Sequence, residues 1–293
     1  MKTVLPRLRW TRWRPWLWPA LRWGTAALLA LLLVLDLAFP PPLPKQRDTS
    51  TLVVAGDGTP LRAFADADGV WRYPATADSV SPLYLQALLN YEDRWFWRHP
   101  GVNPWALLRA GKQWLLERRI VSGGSTLTMQ VARILDPHTR TPWGKAKQLL
   151  RALQLELHLT KAQILALYLE RAPYGGTIEG VEAASWAYLG KPAAQLSHAE
   201  AALLAVLPQS PSRLRPDRHP EAAQAARDKV LERMVALGVW TREEVDDARI
   251  EAVVTRALQP PLRAALLAQR LHAAQPRAAR IQSTLDSGLQ RTL

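Results

Sequence analysis

The rhythm of apolar and polar positions changes along the chain. From Ala20 to Phe39 apolar residues run almost unbroken, interrupted only by Arg22, Thr25 and Asp36, and about 20 such residues suit a membrane-spanning helix. Shorter runs follow. Leu52-Val53-Val54, a Gly56-Asp57-Gly58 turn, Leu61 to Ala65, a second turn at Asp68-Gly69 and then Val70-Trp71-Arg72-Tyr73 predict a short β-ribbon. Beyond Pro74 the periodicity is helical almost throughout. Ser81-Pro82 predicts a helix to about Tyr91, Asn103-Pro104 one to Arg119 and Thr141-Pro142 one to about His158, since proline at a first helical position gives up only an N–H that has no intrahelical partner. Thr160 with Gln163, Ser197 with Glu200 and Thr241 with Glu244 read as capping boxes, and Gly238 closes the helix that contains Val230 to Leu237. Loops are expected at 121–125, 136–141, 172–177 and 208–220. The chain is therefore mainly α, organised as a basic tail (1–19), an apolar span (20–39), a linker with the ribbon (40–75), a helical domain (76–245) and a C-terminal segment (246–293).

Composition changes this picture through the placement of charge. The chain has 293 residues, 38 Lys+Arg against 25 Asp+Glu and a net charge of +13, which by itself suggests nucleic acid. Six of those charges, Lys2, Arg7, Arg9, Arg12, Arg14 and Arg22, lie within residues 1–23, at the near end of the apolar run, with no acid among them. Trp10, Trp13, Trp16, Trp18 and Trp23 crowd the same end, as an interfacial belt does. The positive-inside rule then puts residue 1 in the cytoplasm and everything beyond Pro44 outside it. No Ala-x-Ala cleavage site follows, so the span reads as an uncleaved signal-anchor rather than a signal peptide. No zinc-finger spacing, aromatic ribonucleoprotein motif or basic region leading into heptads is present, which argues against nucleic acid as a partner. Zero cysteines exclude disulfides, thiolate chemistry and cysteine-ligated metal.

Candidate chemistry gathers in three clusters. Glu92-Asp93-Arg94-Trp95-Phe96-Trp97-Arg98-His99-Pro100-Gly101 can hold a partly buried carboxylate with a raised pKa, although acid–arginine runs are usually surface ion pairs. Ser122-Gly123-Gly124-Ser125-Thr126-Leu127-Thr128-Met129-Gln130 offers backbone N–H groups and hydroxyls to an anion, or simply caps a helix; it lacks the spacing of a Walker loop. On the helix from Pro142 to His158, Lys145, Gln148, Ala152 and Glu156 share one face, a stripe that ordinarily would be the solvated side.

In order and spacing these clusters resemble the peptidoglycan glycosyltransferase (transglycosylase) domain of bifunctional class A penicillin-binding proteins. Glu92-Asp93-Arg94-x-Phe96-x-x-His99-x-Gly101 resembles the family's first motif and Gly123-Gly124-Ser125-Thr126-Leu127-Thr128-x-Gln130 its second. Ile164-Leu165-x-Leu167-Tyr168-Leu169 with Tyr174-Gly175 is similar to the fourth. Met129, the segment Arg171 to Gly176 and Pro208-Gln209-Ser210-Pro211-Ser212-Arg213-Leu214-Arg215-Pro216 look most like the 1C branch. The resemblance implies a lysozyme-like helical domain at the bacterial inner membrane that polymerises lipid II into β-1,4 glycan with inversion and release of undecaprenyl diphosphate. It implies Glu92 as general base. Asp93, Arg94, Phe96, His99, Gly124, Ser125, Thr126, Gln130, Arg133, Lys145, Gln148 and Arg151 would bind substrate, helped at the diphosphate by a divalent cation such as Mg²⁺. Other cell-wall synthesis proteins are the expected partners.

One departure stands out. The family's third motif reads Arg-Lys-x-x-Glu, whereas this chain has Gly144-Lys145-Ala146-Lys147-Gln148, so a second carboxylate is absent. Glu156 lies eight residues on, about 12 Å along a helix axis, too far to replace it. Two alternatives follow: a weakly active or inactive lipid II-binding scaffold, and a lytic muramidase using a raised-pKa glutamate as acid. Ser-x-x-Lys and its companion transpeptidase motifs do not occur, while Ile281 to Gln290 looks like a strand leading toward such a domain. The expectation is a segment, 246–293, that links to a transpeptidase domain missing from this chain, and no acylation of the chain by β-lactams.

Overall fold

The computed structural model describes residues 14–43, 50–66, 68–106, 108–109, 124–139, 141–252, 263–276 and 278–289. The chain divides into two compact units, Met1–Pro42 and Leu43–Leu293. In the first, a 25-residue helix α1 runs over Arg14–Ala38 with Pro19 inside it. Trp23, Leu29, Leu31, Leu33, Val34, Leu37 and Phe39 are exposed along and just beyond it. Among the described residues no helix is long and apolar enough to cross a membrane. The segment expected as a span, 20–39, falls within and just beyond α1, which starts inside the basic segment and carries Arg22 and Asp36 in its apolar stretch. The tail before residue 14 lies outside the described residues.

The second unit begins with β1 (Thr51–Val54) and β2 (Pro60–Phe64), antiparallel, with a register shift between Val53 and Val54. A C-terminal strand, β6 (Arg280–Gln282), adds to the other side of β1 in parallel, giving the order β2-β1-β6. Helix α10 (Ala265–Ala274) covers this sheet, and Val53, Ala55, Leu61, Ala268 and Ile281 form its small core. The ribbon expected over 45–75 forms in its first two strands only. Its third strand, β3 (Trp71–Arg72), leaves to pair in parallel with β5 (Ile178–Glu179), which pairs in turn with β4 (Pro173–Gly175). The cause is visible in Arg72, whose guanidinium bonds Glu179 at 2.6 Å and also pairs with Asp66, while the Trp71 N–H donates to the Thr177 carbonyl at 2.9 Å. Residues 172–177, expected as a loop, supply β4.

The helices are α2 (Pro82–Glu92), α3 (Leu127–Leu135), α4 (Pro142–His158), α5 (Lys161–Arg171), a short α6 (Val181–Ala184), α7 (His198–Val206), α8 (Pro220–Ala236) and α9 (Arg242–Ile250). Their starts follow the predicted caps. Thr141 accepts from the Gly144 N–H, and the boxes at Thr160, Ser197 and Thr241 are all closed. Residues 104–106 and 108–109 are helical, and the rest of the helix expected to reach Arg119 lies outside the described residues. Helix α7, apolar on nearly every side with Ala199 and Ala201 to Val206 buried, is the central element, packed against α2 and α8. Its alanines let those helices approach closely, while α3 packs separately on α4 and α5. The C-terminal end of α2 and the N-terminal end of α3 therefore meet at one edge of the core.

Candidate active site

The α2–α3 junction is held by its second acidic residue. Asp93, the C-cap of α2, is buried and accepts at Oδ2 from the Leu127 N–H at the start of α3, 2.9 Å away. His99 Nε2 lies 2.9 Å from both carboxylate oxygens. Between Asp93 and His99 the chain makes tight turns that bury Phe96 completely, with Lys161 Nζ 4.5 Å above its ring. Gly101 has φ +79°, and a Cβ there would lie 2.8 Å from the Ala152 carbonyl oxygen and from Glu156 Cγ. Only glycine lets this turn close onto α4. Thr126 caps α3 by accepting from the Met129 N–H at 3.1 Å and donates its own hydroxyl to the Gly101 carbonyl.

This clasp leaves Glu92 facing a cavity of about 960 Å³, large enough for a drug-sized or larger ligand. Its lining includes Asp93, Arg94, His99, Ser125 and Thr126 from the expected set, with Arg98, Arg109 and Arg233 in addition. Glu92 Oε2 accepts from Gln130 Nε2 at 2.6 Å and Oε1 from Gln209 Nε2 at 2.6 Å. Burial pushes the Glu92 pKa above the ordinary carboxylate range; the two amide hydrogen bonds pull against that without reversing it, and the Asp93 charge adds to the rise. The Glu92 carboxylate is thus held by neutral groups, and among the described residues no cation pairs with it, which favours its taking up a proton.

A second polar centre lies beside Ser125. Lys145 Nζ donates to Ser125 Oγ at 2.7 Å and to Gln148 Oε1 at 3.1 Å, and Gln148 Nε2 donates to the Met129 carbonyl at 2.6 Å. Burial first, then the nearby Arg133 charge, lower the Lys145 pKa. Lys145 does not line the cavity itself; it reaches the wall through Ser125. The stripe carrying Gln148 and Ala152, expected on the solvated side of its helix, instead faces inward, with Gln148 6% and Ala152 0% exposed.

Several residues expected to bind substrate make contacts within the protein. Phe96 is in the core. Gln148 braces Lys145 and the α3 backbone. Arg151 donates to Asp136 Oδ2 at 2.9 Å and to Gln154 at 2.8 Å, with Lys147 2.7 Å from the other Asp136 oxygen. Glu156, excluded by distance from replacing the missing carboxylate, accepts from Thr128 at 2.6 Å and Lys161 at 2.7 Å. Arg133 is exposed near Lys145, and Gly124 sits half-buried before the Ser125 turn. Gln209 and Arg233 were not among the expected residues. Gln209 lies 117 residues from its partner, and no local spacing announces such a contact; the turn-forming run Pro208 to Pro211 is the only signal of a special loop.

The family model described as Transglycosylase matches residues 57–235. The chain is 58% identical over 276 residues to Penicillin-binding protein 1C of Escherichia coli (strain K12), covering 92% of this chain and 36% of that protein. It is 40% identical over 178 residues to Penicillin-binding protein 1A of Aquifex aeolicus (strain VF5), covering 60% of this chain and 24% of that protein. Against Penicillin-binding protein 1A of Escherichia coli (strain K12) it is 35% identical over 219 residues, covering 72% of this chain and 26% of the other. It thus spans from about a quarter to just over a third of the length of these curated relatives. With the first and second motif residues meeting at the α2–α3 junction, the chain belongs to the transglycosylase family and contains a peptidoglycan glycosyltransferase domain.

Proposed function

We propose that this chain polymerises lipid II into β-1,4 glycan strands with Glu92 as the general base. The GlcNAc 4-hydroxyl oxygen of one unit forms a bond to the MurNAc anomeric carbon of the lipid-linked chain, and its proton passes to Glu92. The anomeric carbon–oxygen bond to diphosphate breaks, the electron pair leaves with undecaprenyl diphosphate, and the α configuration becomes β. A sugar hydroxyl is a weak nucleophile, so a positioned base is needed; a base with a pKa raised toward the working pH is the more effective one. The observation that carries the reading is the Glu92 carboxylate on the cavity wall, bonded at 2.6 Å by two neutral amides and, among the described residues, by no cation.

The leaving diphosphate needs charge compensation rather than a proton. Lys145 beside Ser125, with Arg133 nearby, is the centre suited to it, and Arg94, Arg98, Arg109 and Arg233 on the cavity wall suit the anionic parts of the substrates. Among the described residues no three acids or histidines converge, and both Asp93 oxygens are engaged by His99 and Leu127, so a divalent cation such as Mg²⁺ would be held mainly by the diphosphate itself. No step is assigned to one. Gln148 in place of the second carboxylate favours the scaffold reading, in which lipid II is bound and not joined. Its packing against Lys145 supports activity instead, because the amide oxygen holds that lysine without neutralising it.

The exposed apolar side chains of α1 support its insertion in the inner membrane; the basic residues ahead of it favour a cytoplasmic N-terminus and a periplasmic glycosyltransferase domain, with other wall-synthesis proteins as proposed partners. The test is polymerisation of labelled lipid II by the full chain and by Glu92→Gln. Glycan from the first and none from the second supports the reading. No glycan from the wild-type chain leaves the scaffold reading, and soluble muropeptides from purified sacculi would favour the muramidase.

A further inference from the structure

We infer that Gln209 is a positioning residue for Glu92, holding one carboxylate oxygen while Gln130 holds the other. The inference rests on the proposed role of Glu92 as the base. Each amide donates to a different oxygen at 2.6 Å, one from α3 and one from the turn after α7. Two donors on two oxygens fix the plane of the carboxylate, yet each oxygen keeps acceptor capacity for a substrate hydroxyl. Being uncharged, neither amide neutralises Glu92, so the pair orients the base without disarming it.

The fold delivers Gln209 to this position by several fixed contacts. It ends the 3₁₀ turn Leu207–Gln209, anchored by Leu207, which is fully buried. The Ser210 N–H bonds the Leu207 carbonyl at 3.1 Å, and the Arg213 and Leu214 N–H groups bond the Ser210 carbonyl at 2.9 Å. The following loop lies tightly on β4. A Cβ added at Gly175, where φ is +108°, would fall 2.8 Å from the Pro211 carbonyl oxygen and from Arg215 Cγ. Arg215 is in turn pinned by Asp217 at 2.6 Å. An incidental surface contact would not be braced by a glycine that admits its loop.

Both amide bonds favour the ionised form of Glu92 against the effect of burial. Removing the Gln209 donor should therefore raise the Glu92 pKa further, and Gln209→Glu should raise it more, by adding a like charge at the same place.

The test uses the full chain with ¹³C-labelled glutamate, the Glu92 carboxyl resonance being assigned by its loss in Glu92→Gln. Its titration is followed in wild type, Gln209→Ala and Gln209→Glu, with lipid II polymerisation measured on the same samples. The expected result is a Glu92 midpoint that moves to higher pH in Gln209→Ala and higher still in Gln209→Glu. The acid limb of kcat should move with it, and kcat should fall by about tenfold to 100-fold with KM little changed, as for a misplaced catalytic group. A merely structural glutamine would lower the melting temperature and leave the midpoint where it was. An unchanged midpoint in both variants overturns the inference, whatever the activity does. A shifted midpoint in a chain that makes no glycan supports the inference and removes the proposed function.

Discussion

Two regions of the second unit treat charge in opposite ways. On the side of α4 that faces Asp136, Lys147 and Arg151 share a single carboxylate at 2.7 and 2.9 Å, so each cation there has an acid as its partner. Around the cavity, Glu92 and Lys145 are half-buried ions whose closest partners are neutral amides and a hydroxyl. Lys145 and Lys147 are two residues apart on one helix, and among the described residues only the second has an acid partner. Adjacent Glu92 and Asp93 show the same division, since Asp93 is clasped by His99 and a backbone N–H. Leaving an ion without a counter-ion costs stability, and the cost falls where a proton or a diphosphate must be taken up.

The contrast is broken most severely at Glu92. Glu92→Gln is nearly isosteric and removes the base, and one neighbouring glutamine amide can flip to accept from the new NH2 group, so polymerisation should fall by about 10²- to 10⁴-fold while the melting temperature changes little. Lys145→Ala removes the uncompensated cation and should cost about 10²- to 10³-fold in kcat, by analogy with a lost electrostatic donor, with partial recovery in Lys145→Arg. The pH profile sharpens the same point. Because the Glu92 pKa is raised, the ionised base is lost as pH falls through a value above the ordinary carboxylate range, so the acid limb should lie there. Because the Lys145 pKa is lowered, its charge is lost as pH rises through a value below that of a free lysine, and the basic limb should come early.

Paired charges should answer through stability. Asp93→Ala leaves the buried His99 and Leu127 donors unsatisfied and should destabilise the fold by about 1–3 kcal/mol in chemical denaturation, taking activity with it as the junction opens. The smallest effect is expected at Arg151→Ala, below about 1 kcal/mol with activity retained, because Asp136 keeps Lys147 and the cluster is partly exposed. Burial raises the Asp136 pKa, but the bonds from Lys147 and Arg151 outweigh it and leave it below the ordinary value. Its contribution to stability is therefore present above the ordinary carboxylate pKa and lost as pH falls through the depressed one.

What the sequence made legible follows the range of the interaction. Helix starts depend on a few neighbouring residues, and Pro82, Pro142 and the boxes at Thr160, Ser197 and Thr241 all stand where the local pattern put them. The two clusters that meet at the α2–α3 junction were also visible, since glycine turns and helix ends group their side chains locally. Long-range pairing was not. Trp71 and Arg72 read as part of a ribbon because nothing nearby reveals Glu179 as their partner, and Gln209 is joined to Glu92 only by the packing of α7 against α2. Phe96 and Gln148 carry motif positions but face the core, a distinction that identity and spacing alone do not make.

The most direct test of the claim that Glu92 is an uncompensated, raised-pKa base is lipid II polymerisation by the wild-type chain and Glu92→Gln across pH. The account predicts glycan from the wild type, with an acid limb above the ordinary carboxylate range, and loss of both the glycan and that limb in the variant. Equal glycan from the two proteins, or an acid limb that survives in Glu92→Gln, would contradict it.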